Sequence, residues 1–439
     1  MLEQAFCLLY NFSMFTNKKN YLTTKTLFYT IIILLAIFLI SCSQGIQSEV
    51  TPLPTEYVSP TLHITEQPTL SPTAEPEPIE IIIGGTGDIM VHKKQLTDAA
   101  YTARYVEGYD YYFEHNFKYV TEALQYPDLM IGNLETVFAS AAYGYSGFPD
   151  FNTPDSLAAA LKNAGFDVLT NSNNHALDQG KEGLLRTISI LDENGFYHTG
   201  TFDSVESYNT PLIIDVNGVK VGILSGAYAY QNLGALTEEE QSYMISVNSA
   251  EYLRQEVQDL KDAGSQVIVA SMHWGYENTY EIYDDQQELA PILIEAGVDI
   301  IFGHHPHILQ PIEYMEVTLE DGTINSAVVC WSLGNFLANS PMRLEQEGAI
   351  CYVYLSFDPV TEDVTIQKTE VLPTYIYYNR TYLFDFHVLP TGGLVEDLNI
   401  DDFTIESNFQ SKLDAKFEDV VDSVTDSYVE FITGVPDRN

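Results

Sequence analysis

Three of the chain's ten histidines fall within four residues, in Gly303-His304-His305-Pro306-His307. Imidazole nitrogens are ligands for divalent ions such as Mn, Fe and Zn. The apolar run Val298 to Phe302 leads straight into this group, and Gly303 reads as the residue that lets the backbone turn. A buried strand ending in a turn of imidazoles is a place to hold a metal ion, because open α/β sheets bind ligands beyond the carboxyl ends of their strands.

Other apolar runs end in polar groups of the same kind. Glu80 to Ile83 leads to Gly84-Gly85-Thr86-Gly87-Asp88, and Asp128 to Ile131 to Gly132-Asn133-Leu134-Glu135. Phe166 to Thr170 leads to Asn173-Asn174-His175, Gln266 to Ser271 to His273-Trp274-Gly275, and Ala327 to Trp331 to Ser332-Leu333-Gly334-Asn335. One Gly-Asp after a strand is an ordinary turn, and one His at a strand end is commonly a hydrogen-bonded structural residue. Carboxylate, amide and imidazole repeated at the same end of five or six strands form a ligand set.

The elements that must position these groups follow from periodicity. Helices are expected over 154–164, 180–194, 252–263 and 286–296, with Leu184, Leu185, Ile188 and Leu191 at helical spacing. Asn217-Gly218 between Leu212–Val216 and Val219–Leu224 predicts a hairpin. Residues 350–357 and 364–372 alternate as antiparallel strands do, so the class is α/β with mixed sheets. Ser407 to Ile432 reads as one amphipathic helix in an acidic extension over 390–439.

With 62 acidic and 19 basic residues the formal charge is -43, which excludes nucleic acid and anionic lipid as partners and requires a bound cation to hold an anionic substrate. Lys18, Lys19 and Lys25 precede the apolar run Leu27 to Ile40, followed by Ser41-Cys42, as in a secretory signal over 1–42. The run falls short of the ~20 residues that span a bilayer. A cysteine after a small residue resembles the bacterial lipobox, which implies lipidation at Cys42 and a protein tethered outside the cell membrane. Residues 43–79, rich in Pro, Thr, Ser and Glu, read as an extended linker, and 80–389 as the folded domain. Cys330 and Cys351 read as buried thiols on neighbouring strands.

The motif order Gly-Asp, Gly-Asn-Leu-Glu, Asn-Asn-His-Ala-Leu-Asp, His-Trp-Gly-Tyr-Glu, Gly-His-His-Pro-His and Ser-Leu-Gly-Asn-Phe resembles the CapA family of poly-γ-glutamate capsule biosynthesis proteins, related to the calcineurin-like metallophosphoesterases. The resemblance spans Glu80 to Val371 and implies a four-layer α/β/β/α sandwich with one or two divalent ions, Mn, Fe, Zn or Mg. By motif, Asp88, Glu135, Asn174, His273, His305 and His307 would be ligands, with Glu135 bridging. His175 would be the general acid, steered by Asp178. Two departures are visible. Met90 stands where phosphoesterases carry a histidine, and Asn133 and Glu135 replace their aspartates. His92 is read on a following turn, His304 as part of its turn, and Glu277 as orienting His273 or as a loop residue. A structural role is expected for His198, packing for Tyr105, Tyr109, Tyr111 and Tyr112, and no role for His63, His115 or His387. The implied activity is a metal-dependent hydrolase or transferase acting on an anionic polymer or phosphoester in capsule biosynthesis. The alternative is a non-catalytic accessory protein that binds the polymer or the membrane capsule-synthase subunits.

Overall fold

Runs such as Ile81-Ile82-Ile83 and Val267 to Met272 are apolar at consecutive positions because both faces of their strands are covered. Ile81 and Ile83 point into one apolar cluster while Ile82 packs against another, and Val267 and Val269 alternate in the same way with Ile268 and Ala270. The computed structural model describes residues 76–339, 346–378, 385–391, 415 and 429–436. The expected signal, Cys42, His63, nearly all of the linker and most of the expected helix 407–432 lie outside them.

The first strands are β1 (Ile79–Ile89), β2 (Leu129–Leu134), β3 (Val168–Thr170) and β4 (Tyr197–Thr199). They are followed by β5 (Leu212–Val216), β6 (Val219–Ala227), β7 (Val267–His273), β8 (Ile300–His304), β9 (Ile312–Thr318) and β10 (Ile324–Cys330). The last are β11 (Asn335–Leu337), β12 (Glu347–Phe357), β13 (Val364–Tyr378), β14 (Phe386–Pro390) and β15 (Val429–Phe431). One sheet runs β14-β13-β12-β1-β2-β3-β4, with β11 beside β1 and β15 beside β13; the other runs β5-β6-β7-β8-β10-β9. Both are mixed: β1, β2, β3 and β4 are parallel to one another, as are β6, β7, β8 and β10, while β12 to β14, β5 and β9 join antiparallel.

The sheets face each other across Ile81, Ile83, Ile131, Val269, Ile300 and Phe302. Helices α1 (Lys93–Thr102), α2 (Ser156–Ala164) and α3 (Gly180–Glu193) follow strands of the first sheet, and Leu157, Leu161 and Leu191 pack with Leu134 and Leu169 on its outer side. Helices α4 (Glu238–Met244), α5 (Ala250–Asp262) and α6 (Asp284–Ala296) follow, and Leu253, Val257, Leu289 and Leu293 of α5 and α6 pack with Ile268 and Ile301 on the second sheet. This is the expected α/β/β/α order. A local device sets strand register: Asp128, Asp167 and Asp299, each just before a strand, accept the N–H of Ile82, Met130 and Ile268 on the neighbouring strand at 2.8, 2.9 and 2.8 Å.

The glycines that lead into Asp88, Asn133 and His304 do not turn the chain. β1 runs through Gly84-Gly85-Thr86-Gly87-Asp88, β2 through Gly132-Asn133, and β8 through Gly303. A Cβ at Gly85 would sit 2.5 Å from the Phe302 ring, and one at Gly132 would sit 2.7 Å from Phe166. These glycines admit neighbours, and Asp88, Asn133, His273 and His304 therefore ride on strands. Two further expectations change. Val429–Phe431 is strand paired with β13, so the expected terminal helix does not extend that far. Cys330 and Cys351 are buried free thiols with sulfurs 3.7 Å apart, but they face each other from different sheets instead of lying on neighbouring strands.

His115 and His387, 272 residues apart, do have a role. His115 Nε2 lies 2.7 Å from Asp98 Oδ2, and His387 Nδ1 donates to the His115 carbonyl at 2.7 Å. Asp98 also accepts the N–H groups of Asp385 and Phe386, which ties α1 to β14. Burial alone would raise the Asp98 pKa, but His115 and the two N–H donors carry it below the ordinary value. A depressed carboxyl adds stability that is present above its unfolded pKa and lost as pH falls through its folded one. Asp98→Asn should cost about 2 kcal/mol at neutral pH, and the gap between the two unfolding curves should close below about pH 4. A gap independent of pH would remove the charge from this account.

Candidate metal centre

Register brings the strand tips level. Asp88 is paired with Asn133 on one side and Asn335 on the other, and His273 with His304. The last residues of β1 and β8, from different sheets, then meet. Asp88 Oδ2 lies 3.0 Å from His307 Nδ1 and accepts the His305 N–H at 3.2 Å. Its Oδ1 accepts from Asn133 Nδ2 at 2.8 Å and lies 3.1 Å from His304 Nδ1. Asn174 Oδ1 is 3.0 Å from His273 Nε2, which is 3.6 Å from Glu135 Oε1, and His307 Nε2 is 3.9 Å from the same oxygen. Asp88, Glu135, Asn174, His273, His305 and His307 are all buried.

Three groups of donor atoms each lie within 4.8 Å of one another: Glu135, His273 and His305; Asp88, Glu135 and His307; and Glu277, His305 and His307. Glu135 is common to the first two. Both of its oxygens, with His273 Nδ1 and His305 Nδ1, are buried without a hydrogen-bond partner. Buried polar atoms are nearly always satisfied, so a concentration of unsatisfied carboxylate and imidazole atoms fits a divalent cation. Oxygen and imidazole donors suit Mn, Fe, Zn or Mg alike.

The electrostatics point the same way. Burial drives the Glu135 carboxyl well above its usual range, and the Asp88 charge adds to that. Burial would also raise Asp88, but hydrogen bonds and charge from His304 and His307 take it well below. Burial opposes charge on His307, yet Glu135 and Asp88 push it up to about 10. Burial lowers His273 well below 6.5 and His305 to about 3, with His305 and His307 respectively adding repulsion. A neutral imidazole keeps a lone pair for a metal.

The histidine turn is strained. His305 and His307 hold φ of 94° and 59°, where residues with a Cβ are uncommon and cost of order 1–3 kcal/mol each. The turn comes from these two residues and not from Gly303, whose would-be Cβ lies 2.1 Å from the Trp331 carbonyl oxygen.

His175 and Asp178 stand as a pair, with Nδ1 2.8 Å from Oδ2, and Asp178 also accepts the Phe151 N–H at 2.7 Å. Phe151 packs edge-on between His175 and His92, with ring centroids 4.7 and 5.2 Å away. His92 directly precedes α1, in extended backbone and not on the expected turn, and its Nδ1 accepts the Asn339 N–H. Burial and the charges of His307 and His175 hold its pKa down at about 4, so it sits at the edge of the centre. Met90 packs with Phe151, Ala338, Ile376 and Phe386. Glu277 is a loop residue, as one of its two expectations has it, and it is exposed; its carboxylate groups with His305 and His307 and not with His273. His304 braces Asp88. His198 pairs with Asp192 at 3.2 Å and belongs to none of the three groups. Tyr109 and Tyr112 pack edge-on, as do Tyr111 and Tyr145. Tyr228 was not legible. Its N–H donates to the His273 carbonyl at 3.0 Å, and its ring lies 4.6 Å from that of His305.

Two facing mixed sheets with acidic and imidazole side chains gathered at their shared edge define an α/β/β/α protein with a candidate divalent-metal centre. The chain belongs to the bacterial capsule synthesis protein family PGA_cap, whose model matches residues 83–340, more than half of its length. It is 29% identical over 294 residues to the capsule biosynthesis protein CapA of Bacillus anthracis, covering 65% of this chain and 66% of that one. It is 26% identical over 250 residues to the PGA biosynthesis protein CapA of Bacillus subtilis (strain 168), covering 54% and 60%. The match thus spans less than two thirds of each relative. Among solved structures, a phosphatase from Mycoplasma pneumoniae is similar at a TM-score of 0.39 and 15% identity, over 70% of this chain and 97% of that one. No helix among the described residues is long and apolar enough to cross a membrane.

Proposed function

We propose that this protein is a metal-dependent hydrolase or transferase that acts on a phosphoester or anionic polymer linkage in capsule or cell-envelope polymer biosynthesis. Lipidation at Cys42 would hold it at the outer face of the cell membrane. The observation that carries the catalytic reading is Glu135, buried between two donor groups with neither oxygen partnered. Asp88, Glu135, Asn174, His273, His305 and His307 would hold one or two divalent ions. Bound there, the ion supplies positive charge that neutralises and polarises an anionic ester.

The chain's own residues would do the rest. Asp178 fixes the His175 ring by accepting from Nδ1, which leaves Nε2 as the atom that carries a transferable proton. The N–H of Phe151 on Asp178 Oδ2 holds that carboxylate in place. His175 is the general acid for the leaving group in this reading, and Phe151 keeps water from one side of its ring.

The test is metal content by elemental analysis together with a panel of phosphoesters, esters and γ-glutamyl amides under several divalent metals. His175→Asn should keep the metal and lose about 10²–10⁴ of the turnover, the usual share of a general acid. A metal-loaded protein with no turnover on the panel, but with capture of synthase subunits or polymer, would replace catalysis with an accessory binding role.

A further inference from the structure

A cavity of about 510 Å³ opens beside the candidate metal centre, with Tyr228 as the shared wall. Its lining includes Leu233, Val247, Glu238, Gln241 and Ser242. The loop that forms it is pinned to the centre twice. The Tyr228 N–H donates to the His273 carbonyl, and the Gln231 N–H to the Asn174 carbonyl at 2.8 Å. Tyr228 is 48% exposed, and Leu233 and Val247 are also exposed, although all three are large apolar or aromatic residues. The volume lies in the usual range for small-molecule sites, about 300–1,000 Å³.

The polar part of the lining selects against anions. Glu238 is a carboxylate, and no Lys, Arg or His is among the lining residues. The Gln241 amide nitrogen is taken up by the Leu233 and Leu236 carbonyls, which leaves its oxygen to accept. The Ser242 hydroxyl donates to the Glu239 carbonyl, and so also faces a ligand as an acceptor. The cavity therefore offers one aromatic face, apolar walls and hydrogen-bond acceptors. A γ-linked polyglutamate segment has carboxylates to place and would find none of the cations they need.

The geometry points to a subsite for a neutral glycosyl ring, whose C–H face stacks on Tyr228 and whose hydroxyls donate to Glu238, Gln241 and Ser242. The mainly apolar lining and the volume favour a ring over a compact ammonium ion. This deepens the proposed function: the bond acted on at the centre joins a phosphate or acyl group to a sugar-bearing portion that lies over Tyr228.

The test is saturation-transfer NMR on the full-length protein with methyl glucoside and the methyl glycoside of N-acetylglucosamine, before and after chelation. At least one glycoside should bind with ring-proton contacts, and binding should survive metal removal, so this arm is readable even if the centre proves to hold no metal. Tyr228→Ala should weaken it about tenfold or more, equivalent to about 1.4 kcal/mol, while Tyr228→Phe keeps it within about threefold because the stacking face remains. Binding of neither glycoside would overturn the proposal. So would displacement of the glycoside by a γ-glutamate oligomer or by tetramethylammonium at equal or lower concentration, which would make the cavity an anion or cation site.

Discussion

Glu135→Gln should strip the protein of most of its divalent metal and leave the metal-free fold as stable as before. Both halves follow from one environment. Glu135 is buried, lies near Asp88, and its carboxyl is held well above the normal range by that burial and that charge. Without metal, burial and the Asp88 charge favour its protonated form, and an amide of the same shape replaces that form at little cost. With metal it must ionise, and its two unpartnered oxygens are the donors common to two of the three groups. An amide cannot supply that charge, so affinity should fall by about 100-fold or more, beyond what loss of an outer-shell partner costs. Metal bound at 100 times its dissociation constant adds about 2.7 kcal/mol to a fold, and the variant should lack that increment. Asp88→Asn should behave differently. Asp88 is ionised and faces His304, His307 and the His305 N–H, so its loss leaves partners stranded and lowers stability even under chelation. Melting curves with and without chelator, alongside metal analysis, separate the two. A Glu135→Gln protein that retains parental metal content would end the bridging role.

Six of the residues that meet at the centre were legible as types at strand ends, Asp88, Glu135, Asn174, His273, His305 and His307, whereas Glu277 was not placed among the donors. Hydrophobic runs fixed the strands they marked within two or three residues, apart from β1 and β13, which run on to Ile89 and Tyr378, and they left β4, β9, β11 and β14 unmarked. What the sequence concealed is what happens between strands. Gly303 read as a turn because glycine permits turns, and the glycines at 84, 85 and 132 read as the ends of their strands, whereas here the four admit Met130, Phe302, Phe166 and the Trp331 backbone. Close approach and left-handed conformation leave the same letter in the sequence. The Asp88–His304 contact and the Asp98–His115–His387 link join residues 216, 17 and 272 positions apart, and no local pattern encodes them. The mouth of the centre was missed for the same reason. Tyr228 closes β6's extension over His305, while of the tyrosines more conspicuous in sequence Tyr109, Tyr111 and Tyr112 pack elsewhere and Tyr105, expected to pack, is 75% exposed. Val429–Phe431 is three residues of strand, too short for alternation to outweigh the helical stripe before it.

Gly303→Ala should disable the centre without removing one ligand. The segment 331–334 crosses the tips of both sheets. Leu333 N–H donates to the Gly303 carbonyl at 3.0 Å, on the second sheet, and the Gly334 carbonyl accepts the Asp88 N–H at 2.9 Å, on the first. A Cβ at Gly303 would lie 2.1 Å from the Trp331 carbonyl oxygen and 2.6 Å from that of Cys330. One at Gly87 would lie 2.1 Å from the Gly334 carbonyl oxygen. These obstacles are backbone atoms and cannot rotate aside, so the crossing segment itself must move. Overpacking of this kind costs about 3 kcal/mol or more. The displacement acts on the two connections that hold Asp88 against the His305–His307 turn, and metal bonds near 2 Å tolerate little error. Gly218→Ala is the control. Gly218 also resists a side chain, through φ of 94° in the β5–β6 turn, but only Ile79 Cδ1 lies near, at 3.9 Å. That variant should lose about 1 kcal/mol and keep its metal. Urea unfolding and metal analysis on the pair give the comparison. Equal stability losses with full metal in both would mean that the crossing segment does not set the spacing of the strand tips.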